Sequence, residues 1–282
     1  MSRTYTIKTD IKINLKDIFE NLVKEYSNLS AEKREENYVY FYLNGMSSRG
    51  VDVSIEDIGY EIRNTVMSNK ADLMLAHRII MYLMVKTKSM AYNEDDEIIE
   101  PNYLLNKDNF ENGFKDDLKT IFIFIEGTGE TIEFPGPTRS VFIGKTILNK
   151  YSNYKNNINF VSENIENLFL KVLYNLPDYT EGNLMGADSK EGKMIKIKIV
   201  THDDCYIIQN YDYIIVSNED ETNKDEMVMV NIQNIRKVLP PKWEINDEIT
   251  LVAPKLTLEN WKHFRAKCKE VNCYNEFSEK AK

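Results

Sequence analysis

The sequence predicts an α+β protein with largely antiparallel sheets. Segments with a two-residue apolar period outnumber segments with a helical period. Short connections carrying turn-forming residues join most of them, which suits antiparallel neighbours. No regular alternation of strand and helix runs along the chain, so a doubly wound parallel sheet is not expected.

Thr4 to Ile13 alternates loosely and reads as a strand. Leu15, Ile18, Phe19, Leu22, Val23 and Tyr26 then recur at helical spacing behind Asn14, with Asp17 placed as in a capping box. Ser30 to Asn37 is charged throughout and reads as a loop. Tyr38 to Leu43 is a compact apolar strand, and Gly45 to Gly50 is a turn. Val51, Val53 and Ile55 alternate before Gly59, and Tyr60, Ile62 and Val66 continue the period. The pattern is that of an antiparallel meander with one buried face. Asn69 and Asp72 cap a helix that runs to about Lys88. Its stretch Ile79 to Val85 is apolar all round, so most of its surface is expected to be buried.

The acidic, irregular region Met90 to Asn109 suggests a boundary, with one α+β region over 1–110 and a second over 111–282. Ile121 to Ile125 and Thr131 to Phe134 flank Gly127-Thr-Gly129 and read as a hairpin. Pro135-Gly136-Pro137 breaks that sheet, and Val141 to Ile143 resumes it. Ile165, Leu168, Phe169, Val172, Leu173 and Leu176 form the cleanest helical stripe, with Ser162 as its cap and Pro177 as its stop. Beyond a Gly-containing loop, Asp178 to Lys193, strands are expected at Ile195–Val200, Tyr206–Ile208, Tyr213–Val216, Met227–Val230 and Glu248–Val252. Thr257 caps a last helix whose Trp261, Phe264, Cys268 and Val271 share a face. Four to five amphipathic helices are expected in all. Residues 50–88 and 227–272 each read as strands followed by a capped helix, an echo that suggests two similar α+β halves.

Lys and Arg number 36 against 45 Asp and Glu, a net charge of −9. That balance argues against a nucleic-acid partner, whose phosphates call for a basic surface, and favours a basic protein partner through steering. The first residues carry no apolar signal core. The most apolar stretch, Ala71 to Val85, is about 15 residues long, short of the roughly 20 that cross a bilayer. A cytoplasmic protein with no membrane partner is therefore expected. Cys205, Cys268 and Cys273 are too few for a disulfide framework and are expected as reduced thiols. Abundant Ile, Lys, Asn and Tyr point to a low-GC bacterial source.

Most site-like motifs fail on spacing. Gly144-Lys145-Thr146 resembles the end of a phosphate loop, but position 139, where the first glycine belongs, is Arg. Gly45-Met-Ser-Ser-Arg-Gly50 is one residue too long for a nucleophile elbow and leads into a strand instead of a helix. Glu126, Glu130 and Glu133 could pair as acid and base, yet nothing fixes their separation. His77 reads as a structural histidine. His202-Asp-Asp-Cys205 alternates between strand faces and cannot converge on one ion. His263, Cys268 and Cys273, spaced by five, share no helix face. The acidic run Asn218 to Glu226 lacks the glycine and final glutamate of a calcium loop.

Two segments remain. Pro135-Gly-Pro-Thr-Arg139 is a stiffened turn that presents Thr138 and Arg139, and Arg49 lies in a second, Gly-flanked turn. Guanidinium groups bind carboxylate or phosphate bidentately. Arg49, Arg139 and Thr138 are thus the candidate anion- or partner-binding residues, against the ordinary alternative of solvated side chains on well-made turns. No catalytic residue, metal ligand or cofactor is assigned.

Ser48-Arg-Gly50 leading into alternating strands, the helix from Asp72 to Val85, and Phe134-Pro-Gly-Pro-Thr-Arg139 through Phe142-Ile-Gly144 resemble a bacterial family of unknown function, whose domain spans nearly the whole chain. The resemblance implies a low-GC bacterial cytoplasmic protein and transfers no catalytic residue. Two functional expectations follow from the residues. The first is a non-enzymatic protein-binding or inhibitor-like protein with an acidic surface and a basic partner. The alternative is an enzyme with a dispersed active site, acting on a phosphorylated or carboxylated small molecule through Arg49 or Arg139. Convergence of those arginines in a pocket with a carboxylate or histidine separates the two.

Overall fold

Period-two burial organises the N-terminal half of the chain. The computed structural model describes residues 2–105, 110, 112–154, 156–218 and 227–281. The chain divides into two compact units, Met1–Asn175 and Leu176–Lys282, and Phe110 is buried within the first.

In the first unit β1 (Arg3–Lys8), β2 (Leu29–Glu35), β3 (Tyr38–Leu43), β4 (Val51–Glu56), β5 (Gly59–Asn64), β6 (Ala91–Tyr92) and β7 (Ile98–Ile99) form one sheet in the order β2-β3-β4-β5-β1-β6-β7. Its neighbours pair antiparallel. Tyr5, Ile7, Phe41, Leu43, Val51, Val53, Tyr60 and Ile62 share one face and are buried against α1 (Leu15–Leu22) and α2 (Lys70–Thr87). Each fully buried Ile, Leu or Val stabilises the fold by about 1.5–3 kcal/mol. Asn14 caps α1 by accepting from the Lys16 amide at 2.9 Å. Asn69 and Asp72 form the reciprocal capping box of α2. Of the run Ile79 to Val85, Val85 is left 70% exposed.

Ser30 to Asn37 is mostly strand, a correction to the expected loop. β2 is the edge strand of the sheet, and its charges sit at an edge where they discourage pairing with other chains. Gly59 permits the tight β4–β5 turn: its φ is +141°, and a Cβ there would lie 1.9 Å from the carbonyl oxygen of Ile7.

The rest of this unit holds α3 (Pro101–Leu105), α4 (Gly113–Thr128), β8 (Ile132–Pro135), β9 (Ser140–Ile143), α5 (Lys145–Lys150) and α6 (Ile158–Tyr174). The hairpin expected around Gly127-Thr-Gly129 is absent, because Ile121 to Ile125 is helical. Phe114, Leu118, Ile121 and Ile125 are buried at helical spacing, whereas Ile123 and Phe124 point outward. Gly129 is the left-handed C-cap of α4, its amide donating to Ile125 at 2.8 Å. β8 pairs with β9 instead, so Pro135-Gly-Pro-Thr-Arg139 is the loop of that hairpin. Ser162 is buried inside α6, and Asn157 caps it.

The second unit combines a four-stranded sheet, β10 (Asn183–Asp188), β11 (Met194–Val200), β13 (Tyr213–Val216) and β14 (Val228–Val230), with a three-stranded one, β12 (Tyr206–Ile208), β16 (Leu251–Ala253) and β15 (Glu244–Ile245). β11 and β13 run parallel, so this unit's strand arrangement differs from that of the first. The loop expected over Asp178 to Lys193 contains the edge strand β10. α7 (Ile232–Val238), α8 (Leu258–Glu270) and α9 (Tyr274–Lys280) complete the unit, and Trp243, Trp261 and Phe264 centre its core. Thr257 caps α8 as its sequence predicts. The architecture is α+β. Among the described residues no helix is long and apolar enough to cross a membrane.

Candidate functional site

The turn before β4 is built around one carboxylate. Asp72, fully buried at the N-terminus of α2, accepts from the Ser48, Arg49 and Asn69 amides through Oδ2 at 3.1, 2.8 and 3.1 Å and from the Gly50 amide through Oδ1 at 2.9 Å. The Ser48 hydroxyl adds a bond of 2.9 Å. Burial raises the Asp72 carboxyl above its ordinary pKa, and hydrogen bonds from Ser47, Arg49, Ser48 and Asn69 oppose that rise. The same turn is held from outside by Tyr40, whose hydroxyl donates to the Arg49 carbonyl at 2.6 Å, and by Tyr174, which donates to the Ser47 carbonyl at 2.8 Å. Asn69 Nδ2 donates to Glu166 Oε1 at 2.9 Å, and burial raises the Glu166 pKa. Ser47 and Ser48 are both buried, so the serines of this turn are scaffold groups. Sequence reading registered Asp72 only as a cap; the signal missed was the short, polar Ser-Ser-Arg-Gly run available to wrap it.

Arg49 meets the second singled-out segment directly. Its Nε donates to Thr65 Oγ1 at 3.1 Å, its Nη1 donates to the Pro135 carbonyl, and its guanidinium lies 5.7 Å from the Phe134 ring centroid. Burial pulls its pKa down, opposed by Tyr40, Asp72 and Asp52. In the Pro135–Arg139 loop, Thr138 donates to the Leu173 carbonyl at the end of α6, and the Gly136 amide donates to the Arg139 carbonyl at 3.0 Å. Arg139 carries a buried Nη1 with no hydrogen-bond partner among the described residues. The two segments therefore touch at Arg49 and Pro135.

A different concavity lies on the outer face of the seven-stranded sheet. Register places Tyr38 opposite Ser54 and Ser54 opposite Glu61, and Tyr40 opposite Asp52 and Asp52 opposite Arg63. Tyr38 donates to Asp52 Oδ1 at 2.5 Å. Arg34 stands 4.1 Å from the Tyr40 ring centroid and 3.6 Å from Asp52. Beside them a cleft of about 410 Å³ is lined by Glu35, Tyr38, Asp52, Glu56, Glu61 and Arg63, among others. Four carboxylates and an aromatic ring make a setting for a cation. The sequence hides it because the charged run Ser30 to Asn37 reads as loop, although Asp52, Ser54 and Glu56 share a face by alternation.

Other expected groups lie apart. His77 Nδ1 is 3.0 Å from the Leu104 carbonyl, packed by Tyr5 and Phe110, and burial lowers its pKa. Lys145 starts the short helix α5 directly after Gly144. Glu133 accepts from Ser140 at 2.6 Å. His202 Nδ1 is 4.0 Å from Asp203. Cys268 is buried within α8, while Cys273 precedes α9. Of the acidic run Asn218 to Glu226, residues 219–226 lie outside the described residues. Among the described residues no group of three His, Cys, Asp or Glu is arranged to hold a metal ion. In the second unit a cavity of about 600 Å³ is lined by side chains of both signs, including Lys280, which pairs with Glu276 at 2.6 Å.

No curated protein matches this chain, and no solved structure does. A family model described as a domain of unknown function, DUF4299, matches residues 2–169. That span contains the Asp72 turn, the Arg49–Pro135 contact and the acidic cleft, and it leaves the second unit outside. Matched over more than half its length, the chain belongs to the DUF4299 family.

Proposed function

We propose that this chain is a non-enzymatic protein-binding or inhibitor-like protein of the bacterial cytoplasm, which receives a basic protein partner on an acidic surface. The cleft on the outer sheet face carries this reading, because Glu35, Asp52, Glu56 and Glu61 line it with Arg63 as the opposing charge. Arg34 supports it from beside the cleft, where its guanidinium rests on Tyr40 next to Asp52. A partner's arginine would use the same combination of ring face and carboxylate. The net charge of −9 adds steering of a basic partner at a distance. The alternative, an enzyme acting on a phosphorylated or carboxylated small molecule, has less support. The Arg49 guanidinium is engaged by Thr65 and Pro135, and neither Arg49 nor Arg139 lines the acidic cleft.

The test is capture from source-cell lysate by the tagged chain and by Glu35→Gln/Glu56→Gln/Glu61→Gln, at low and at moderate salt, read by mass spectrometry. A basic protein retained in stoichiometric amount by the wild type, released by salt and lost in the triple variant is the expected result. Equal capture by both chains, or none, rejects the reading and directs attention to a thermal-shift screen of anionic metabolites.

A further inference from the structure

The helices of the first unit leave part of the apolar sheet face open. α1 has 8 residues, so at 1.5 Å each it is about 12 Å long. β2 has 7 residues and extends about 24 Å. Burial falls off along the β2–β3 hairpin. On the helix-bearing face Leu29, Leu43 and Phe41 are buried, Val39 and Ile55 are half-buried, and Ala31 is exposed. The opening is a groove of about 800 Å³ with Phe19, Val39 and Ile55 in its floor. Its rim carries Lys12, Lys16 and Lys33 against one carboxylate, Glu36. In a chain of net charge −9, this patch has the opposite sign to the average surface.

We propose that this groove receives an acidic amphipathic helix of a protein partner. An apolar stripe at i, i+3, i+4 and i+7 covers Phe19, Val39 and Ile55, completing the helical layer that α1 leaves short. Carboxylates flanking that stripe face the three lysines. A stripe from i to i+7 spans about two helical turns. A basic helix would set like charges against Lys12, Lys16 and Lys33 and is disfavoured on that ground. Existing contacts at the rim are superficial: Lys12 donates to the Glu56 carbonyl at 3.0 Å, and Lys16 pairs with Glu20 at 3.4 Å on exposed side chains. Such pairs contribute little and are readily exchanged. The groove opens on the helix-bearing face of the sheet and the acidic cleft on the other, and the two meet at Asn37 and Ile55, which line both.

The test pans a display library of helical peptides against the intact chain and, in parallel, against Lys12→Glu/Lys16→Glu/Lys33→Glu, with folding checked by circular dichroism. The wild type should enrich peptides with acidic flanks around an apolar stripe. The best of them should bind the triple variant about tenfold more weakly and should weaken as salt rises. If the triple variant folds poorly, Lys33→Glu alone, on the exposed edge strand, should weaken binding by about threefold. Enrichment of basic peptides, of peptides indifferent to the charge reversals, or of none overturns the proposal. So does a dimer in sedimentation that the reversals abolish, which assigns the groove to a second copy. Thermal protection by decanoate that the reversals remove also overturns it, by assigning the groove to a small amphiphile.

Discussion

Arg49 and Pro135, 86 residues apart, are joined by a hydrogen bond from the guanidinium Nη1 to the proline carbonyl. Two turns that looked like separate anion sites are thereby one structural joint, with Thr65 and the Phe134 ring completing the seat of the guanidinium. Lysine cannot reproduce the planar fork that reaches both oxygens. Arg49→Lys should therefore lower stability by about 1–2 kcal/mol, read from the urea midpoint. Arg139→Gln should change it by less than about 1 kcal/mol. An unchanged midpoint in Arg49→Lys would return that guanidinium to the pool of ligand-binding groups.

Asp72 should be the most sensitive polar position of the first unit. Alanine there takes the carboxylate acceptor from the amides of Ser48, Arg49 and Gly50, while the Asn69 amide keeps the Ser48 hydroxyl at 2.9 Å. The expected loss is about 3–5 kcal/mol. Asn69→Ala removes a helix cap and a contact to Glu166, and about 1 kcal/mol is expected from the cap. Chemical denaturation of the two variants side by side reads the difference.

Two glycines of left-handed or positive φ should respond unequally to alanine. At Gly59 the added methyl would meet the Ile7 carbonyl at 1.9 Å, so the β1–β5 pairing must yield and a loss above about 3 kcal/mol is expected. At Gly45, φ +79°, nothing lies within 4 Å, so only the conformational preference is felt, about 1 kcal/mol. Similar thermal midpoints for the two variants would contradict the close approach at Gly59.

His77 should make the first unit acid-sensitive. Burial lowers its folded-state pKa below the unfolded value, and the bond to Leu104 only partly offsets this. The unfolded state takes up the proton first as pH falls through about 6.5. Stability is therefore fully present above that pH and declines below it, toward the lower folded pKa. Melting temperatures between pH 7.5 and 5.5 should fall more steeply for the wild type than for His77→Gln; parallel slopes would exclude His77 as the cause.

Elements whose burial follows one clean period were legible in the chain. Ile165, Phe169, Val172 and Leu173 do line the buried face of α6, and Val51 and Val53 do point into the core. Asn69, Asp72 and Thr257 act as caps because their side chains meet helix amides wherever the following residues turn. Ile121-Phe-Ile-Phe-Ile125 misled because a run of β-favouring residues hides which of them is buried. Ile121 and Ile125 belong to a stripe begun at Phe114, and tertiary packing overrides the local preference. Charge misled at β2, where pairing with β3 outweighs a polar composition. The Arg49–Pro135 joint was out of reach, since no local pattern encodes a contact between segments so far apart.

Strand order carries a final consequence for how the molecule forms. β1, the earliest strand in the chain, lies inside the sheet between β5 and β6, paired with residues 59–64 on one side and with 91–92 on the other. During synthesis it has to wait for more than fifty residues before either neighbour exists, while β2 through β5 can zip as a local meander. Its late docking closes the sheet, joining that meander to β6 and β7. Deleting Arg3 to Lys8 would thus remove an interior strand, splitting one seven-stranded sheet into pieces of four strands and two.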